Sequence, residues 1–392
     1  METEKNARID HPIYSKDPST VHIVYQKNKR RCLELAVEQS EFITNLNTKW
    51  QQSKKPKKEF RIAIKTNFMC AAYETDISVY TDVELVEYLI EMMRKEGYET
   101  FSVVESQMVW SLMRQNRTVK NVAAMLGYSG KGYDIVDLTE TAKGGNKHNF
   151  GDPLGEHPFS PAWSDADYRI SFAKNKTHFQ SYYTGAMKNI YGCLPEQNKL
   201  KHYHARKTRE FHTCTIAVLE AFPVDFGFID AYFSGDGLAG LVKDTNPNET
   251  STIICGENCF AVDWVQGEKM GVRPEKNPVI QRAMERWKTP EIIRKGPTDV
   301  YHPWTNIWPG VSFIADIIEE WYSTSRLFCF IFAYRMHSRY PLQPGPARWC
   351  TAPFRFCAQM IDYHSTMISF ILALLVFLFC VAWWLGYLKL TV

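Results

Sequence analysis

Lys174, Lys176 and His178 stand two residues apart, three side chains that can hold an anion or move a proton. They continue the alternation of Tyr168, Ile170 and Phe172, so an extended chain carries the apolar groups and the ionisable ones off one face, in that order. The run TGAMKNIYGCLP then brings Lys188 and Asn189 up on a short helix, with Gly192 placed for a left-handed C-terminal cap and Pro195 beyond it. Upstream, the strand-like IAIKTNF ends on Lys65 and Asn67. Ammonium and carboxamide donors that converge in this way suit carboxylate or phosphate oxygens, and an imidazole among them suits general acid or base work. A few lysines in isolation are as readily a solvated face. What favours a site is the order: an apolar strand, then lysines, then a polar turn and a short helix, as at the carboxyl edge of an open α/β sheet.

Other residues extend or limit this chemistry. His202, His204 and His212 follow His178 within 35 residues, but neither an H-E-x-x-H pattern nor a carboxylate completes a metal set, and no metal is expected. Lys201, Arg206, Lys207 and Arg209 surround His204, which is therefore grouped with the anion-binding residues. The segment FGFIDAYF reads as a strand carrying Asp230 and leads to Gly235, Asp236, Gly237 and Gly240. With Asp263 downstream, those glycines meet the dinucleotide-binding fingerprint in letter. The long helix that should open at the third glycine is broken by Asp244, Asn246 and Pro247, so Gly235, Asp236 and Gly237 are expected to shape a crevice instead. Asp263 has two readings, a first-turn stabiliser of a helix over 261–270 or a catalytic carboxylate. No nucleophile, histidine and acid form a visible triad.

The elements needed to position these groups are legible in outline. A strand over 61–66, a helix led by Thr81 and Asp82 and closed by Gly97, and a strand over 100–105 make a βαβ unit. Further helices are expected over 29–50, 119–126 and 278–287, further strands over 133–138 and 252–255, and loop over 139–164, where glycine and proline recur. The fold class that follows is α/β, a mainly parallel sheet with flanking helices, joined to one C-terminal transmembrane helix.

The runs SFAKNKTH and TGAMKNIYGCLP resemble the signature of the family called domain of unknown function 362. IAIKTNF upstream, and FIDAYFSGDGLAG and CFAVDWVQGEKMG downstream, resemble further segments of it, in the right order over about 60–290. Some members of that family carry ferredoxin-like cysteine runs. Ten cysteines are present here, yet no C-x-x-C pair exists and an iron–sulfur motif is lacking; the cofactor stays unknown.

The 392 residues are 45% apolar and 14% aromatic, ample for a core, and a net charge of +3 gives no global reason to expect nucleic acid. Residues 366–388 carry no charge, and at 1.5 Å per residue they would span about 34 Å, enough for a bilayer core of about 30 Å. Trp383, Trp384 and Tyr387 fit an interfacial belt, and Arg335, Arg339, Arg348 and Arg355 before the span outnumber Lys389 after it. These features predict a single-pass tail anchor in a lipid bilayer with the large domain facing the cytoplasm. The start METEKNARID does not read as a signal peptide, which agrees with that orientation. Four regions result: a leader and helix (1–59), the α/β domain (60–300), an aromatic and proline-rich juxtamembrane region (301–365) and the span (366–388).

The function expected is an enzyme acting on a small anionic substrate by proton transfer or redox chemistry next to a carbonyl. His178, Lys176 and Asp263 are its catalytic candidates. Lys65, Asn67, Lys174, Lys188, Asn189, His204, Asp230, Gly235, Asp236 and Gly237 are its binding candidates. The alternative is a membrane-tethered binding or scaffold protein that holds an anionic ligand without turnover.

Overall fold

The structure is a computed structural model that describes residues 8–302 apart from 72–73, 76, 109–110, 112–113, 179, 198, 204–209 and 237–247, together with 304, 338–339, 375 and 377–378. Among the described residues nine strands share one sheet: β1 (Ser19–Tyr25), β2 (Arg61–Lys65), β3 (Thr100–Glu105), β4 (Asp134–Asp137), β5 (Tyr168–His178), β6 (Tyr182–Thr184), β7 (Phe226–Gly235), β8 (Asn248–Gly256) and β9 (Ile292–Lys295). They lie in the order β9-β1-β8-β7-β5-β2-β3-β4, with β6 folded back on β5. The run from β7 to β4 is parallel throughout, and β8 is antiparallel to both of its neighbours. The fold is thus mixed α/β with a mostly parallel central sheet.

Strands buried on both faces need apolar residues on both, and the sequence supplies them. Ile62, Ile64, Ile170, Phe172, Phe226 and Phe228 belong to the core on one side, packed with Leu33, Leu46 and Leu89 of the helices there. Ala63, Ala173 and Ile229 belong to the core on the other side, with Met187, Val218 and Val262. The small alanines on that second side let a short helix lie close to the sheet, which matters for the site below.

Local signals set most boundaries. Asp82 caps the helix Val83–Lys95 by accepting the Glu84 N–H at 2.9 Å, and Thr118 caps Val119–Leu126, which ends on Gly127 at φ 92°. The helix expected over 29–50 is two helices, Lys29–Gln39 and Phe42–Ser53, with Glu41 between them at φ 54°. The step of six residues from Val37 to Ile43 is out of phase with a 3.6-residue period, and Ser40 Oγ ends the first helix by donating to the Ala36 carbonyl. The loop expected over 139–164 holds the helix Leu138–Ala142, a small hairpin of Lys147–Asn149 with Glu156–Pro158, and the turn of helix Pro161–Ser164. Ser19–Tyr25, grouped by sequence with the leader, is a strand of the central sheet. Nearly all of 305–392, the tail-anchor segment 366–388 included, lies outside the described residues. Among the described residues no helix is long and apolar enough to cross a membrane.

Candidate anion site at the carboxyl end of the sheet

From β2 the chain winds outward through β3 and β4, then returns to place β5 on the other side of β2 and winds outward again through β7 and β8. Helices Val83–Lys95 and Val119–Leu126 cover one face on the first excursion; Ala186–Asn189 and Phe211–Ala221 cover the other on the second. Strands β2 and β5 therefore flank the switch point, where an open α/β sheet leaves a crevice at its carboxyl ends. Lys65 ends β2, and Lys174, Lys176 and His178 end β5.

Burial turns these residues inward. Lys65, Lys174 and Lys176 are each 1% exposed. The Lys65 ammonium is 3.0 Å from Glu105 Oε2 at the end of β3 and also donates to the Thr66 carbonyl at 2.6 Å. Lys174 Nζ is 2.9 Å from Oδ2 of Asp230, a fully buried residue of β7. The same Asp230 carboxylate accepts the N–H groups of Asp82 and Tyr232. Lys176 donates to the Val79 carbonyl at 3.0 Å and lies beside the Cys70 thiol. Burial lowers its pKa, against the raising influence of Cys70 and Glu105 and with a smaller lowering contribution from Lys174. His178 is buried, and its Nδ1 accepts the N–H groups of Gln180 and Ser181, both at 3.2 Å. In the neutral ring this leaves the proton on Nε2.

Alternation puts the β5 lysines and Lys65 on opposite faces. Lys174 and Lys176 share the side of Phe172, whereas Lys65 shares that of Ala63. Asn189 closes the second side. Its Nδ2 donates to the Lys65 carbonyl at 2.8 Å and to Ser171 Oγ at 3.2 Å, so one carboxamide bridges the ends of β2 and β5. Asn67 reaches Asn189 Oδ1 at 3.5 Å, and its own Oδ1 is buried without a hydrogen-bond partner. Lys188 is half-buried one residue away from Asn189.

Comparison with known proteins now bears on these segments. The signature described as domain of unknown function (DUF362) matches residues 62–267, just over half of the chain. The chain belongs to the DUF362 family. A thylakoid-associated protein of Synechocystis sp. is 23% identical over 176 residues, which is 38% of this chain and 54% of that relative. The chain thus spans about half the length of that curated relative. Among solved structures, lactate racemase apoprotein from Thermoanaerobacterium thermosaccharolyticum aligns at a TM-score of 0.32 and 14% identity, over 56% of this chain and 52% of that one.

Within the DUF362 domain, two expectations require correction. Gly192 is not a left-handed cap: it lies in the 3-10 turn Ile190–Cys193, outside the positive-φ positions. A Cβ there would come within 2.6 Å of Lys65 Nζ, so the missing side chain makes room for the buried ammonium. Asp263 is not in the first turn of its own helix, which runs from Cys259 to Lys269 and is capped by Asn258. Its carboxylate instead accepts the N–H groups of Ala186 and Met187, the latter at 3.0 Å, and so holds the N-terminus of the helix that carries Lys188 and Asn189. Burial outweighs those two bonds and raises the Asp263 pKa to about 7. Gly185 completes the fit, since a Cβ there would meet the Asp263 carboxylate at 2.3 Å. Asp263 is thus a positioning group for that helix. Finally, Asp236 is half-buried and accepts from Asn248 Nδ2 at 3.3 Å, while Gly235 lets β7 pass close to Lys176, whose Cβ would lie 2.9 Å from an added one.

His204 and Gly237 lie outside the described residues. Of the other clustered histidines, His202 Nε2 is 3.8 Å from a Glu196 carboxylate oxygen, and His212 is buried with its ring on Phe211.

Two buried ionisable residues escaped the sequence, Glu105 at the end of β3 and Lys199 at the start of the short helix Lys199–Tyr203. Glu105 closes the apolar run TFSVVE in the way Lys65 closes IAI, a signal that was present but unused. Lys199 is buried, with its ammonium on the carbonyls of Leu194 and Glu196, the latter at 3.2 Å. Burial lowers its pKa to about 7, opposed by Glu105 and assisted by Lys65. Nothing in KLKHYH marks Lys199 for burial, because the groups around it, Leu194, Lys65 and Glu105, are brought there by tertiary packing.

Proposed function

We propose that this DUF362 protein is an enzyme that binds a small anionic substrate at the carboxyl ends of β2 and β5 and moves a proton next to its carbonyl group. The observation that carries this reading is that Lys65, Lys174, Lys176 and His178, all of them buried, end the two strands that flank the switch point of the sheet. Three of them are lysines, and the fourth is a histidine whose Nδ1 is fixed by two backbone donors. In this scheme Lys176, as the free amine that burial favours, takes the proton from the carbon next to the carbonyl and returns it, the Nε2–H of His178 donates to the carbonyl oxygen as negative charge develops there, and the carboxamides of Asn67 and Asn189 orient the substrate. Asp263 acts only through the Ala186–Asn189 helix. Residues 366–388 would hold the domain at a bilayer, facing the cytoplasm.

The test uses the full chain in detergent with panels of 2-hydroxy and 2-oxo carboxylates and of phosphate esters. Binding is followed by thermal shift, and proton exchange at the carbon next to the carbonyl by NMR in deuterated water. Exchange that is lost in His178→Ala while the thermal shift remains supports the enzyme. Binding without exchange in the unaltered protein would replace it with a non-catalytic binding protein, a reading favoured by the way Glu105 and Asp230 already neutralise Lys65 and Lys174.

A further inference from the structure

Two of the polar side chains at the end of β2 are fully engaged within the chain. The three protons of the Lys65 ammonium go to the Thr66 carbonyl at 2.6 Å, to Glu105 Oε2 at 3.0 Å and to Asn189 Oδ1 at 3.2 Å. Asn189 is equally full. Its Nδ2 donates to the Lys65 carbonyl at 2.8 Å and to Ser171 Oγ at 3.2 Å, while its Oδ1 takes Lys65 and, at 3.5 Å, Asn67 Nδ2. The third side chain, that of Asn67, is different. The Asn67 backbone is clamped in both directions by Thr81, which accepts the Asn67 N–H on Oγ1 at 2.9 Å and gives its own N–H to the Asn67 carbonyl at 2.8 Å. The side chain keeps an Oδ1 that is buried without a hydrogen-bond partner.

Neighbouring bonds fix which end of that carboxamide is the oxygen. Ser171 Oγ donates to the Ala186 carbonyl at 2.8 Å, so towards Asn189 it accepts, and the nitrogen end of Asn189 is set. Oδ1 of Asn189 therefore faces Asn67, and the atom of Asn67 that meets it is the nitrogen. Turning Asn67 over would set two oxygens against each other. A buried acceptor without a donor is costly, and leucine would fill a similar volume without that cost. What Oδ1 calls for is a donor from outside the chain.

Resting on the proposed anion-binding role, we propose that the anionic substrate carries a hydroxyl group that donates a hydrogen bond to Asn67 Oδ1, which makes Asn67 the residue that distinguishes hydroxylated anions from analogues without the hydroxyl. A carbonyl or ether oxygen in the same place brings no proton and would leave Oδ1 unpaired. An ammonium would pair with Oδ1 but would also cancel the negative charge that the site is proposed to hold. Asn189 is then a positioning residue, which sets the carboxamide of Asn67.

The experiment titrates the full chain in detergent with matched ligands, followed by calorimetry: 2-hydroxybutyrate against 2-fluorobutyrate, 3-hydroxybutyrate against 3-fluorobutyrate, and glycerol 3-phosphate against propyl phosphate. Each pair keeps the anionic group and loses the hydroxyl donor. In at least one pair the hydroxylated member should bind about tenfold more tightly or better. Asn67→Leu should bring the members of that pair to within about threefold of each other, by weakening the hydroxylated one. Pairs that bind the unaltered protein without such a difference, or a difference that survives in Asn67→Leu, would overturn the hydroxyl assignment while leaving an anion site in place. The comparison on the unaltered protein stands even where Asn67→Leu does not fold. If no member of any pair binds, the anion-binding role itself falls, and this assignment with it.

Discussion

Lys65 and Asn189, 124 residues apart in sequence, are bonded in both directions: Nδ2 of Asn189 donates to the Lys65 carbonyl at 2.8 Å, and Nζ of Lys65 donates to Asn189 Oδ1 at 3.2 Å. The short helix of Asn189 is thereby fastened over the end of β2. Asn189→Ala would strand the Lys65 carbonyl and shorten the ammonium's set of acceptors. A loss of about 1–3 kcal/mol in a chemical denaturation experiment is expected, together with weaker anion binding.

Gly192→Ala tests the space around the same ammonium. The added methyl would sit 2.6 Å from Lys65 Nζ and 2.7 Å from its Cε. Lys65 would have to leave Glu105, and a drop of about 1–3 kcal/mol is expected by thermal denaturation. Lys65→Met in the Gly192→Ala background should recover part of that loss, because the clash and the displaced charge go together.

Asp230→Asn should be the most damaging of these substitutions. It removes the charge that balances Lys174 in a fully buried setting, and half-broken buried ion pairs cost about 3–5 kcal/mol. Lys174→Met combined with Asp230→Asn should be more stable than Asp230→Asn alone, measured by denaturant midpoint.

Asp263 gives a pH dependence of definite sign. Its pKa rises from 3.8 unfolded to about 7 folded, so between those values the folded chain holds a proton that the unfolded chain has lost. The contribution of Asp263 to stability is present below pH 4 and is lost as the pH rises towards 7, at up to about 1.4 kcal/mol per pH unit. Asp263→Asn should flatten the stability profile in that window.

Lys199 acts on the other side of neutrality. Its pKa falls from 10.5 unfolded to about 7 folded, so from pH 7 to 10.5 the unfolded chain binds the extra proton and stability rises with pH. Lys199→Met should therefore stabilise the ligand-free protein at pH 7 and lose that advantage by pH 10, as read from thermal midpoints across the range.

The sequence by itself determined six of the nine described strands of the central sheet and their chemistry, missing Ser19–Tyr25, Tyr182–Thr184 and Ile292–Lys295. Alternation from Tyr168 to His178 put the three ionisable groups on one face because a strand has a period of two, and the helix expected over 119–126 has those bounds. The mainly parallel sheet followed from strand, helix and strand in succession. Tertiary structure decided what the charged groups are for. That Lys65 faces Glu105, that Lys174 faces Asp230, and that Asp263 holds a helix 77 residues away all depend on the order in which strands lie side by side, which local periodicity does not encode. Gly192 shows the limit most directly. Its place after a helix suggested a cap, and the packing of a lysine from another strand gave it a different reason to be glycine.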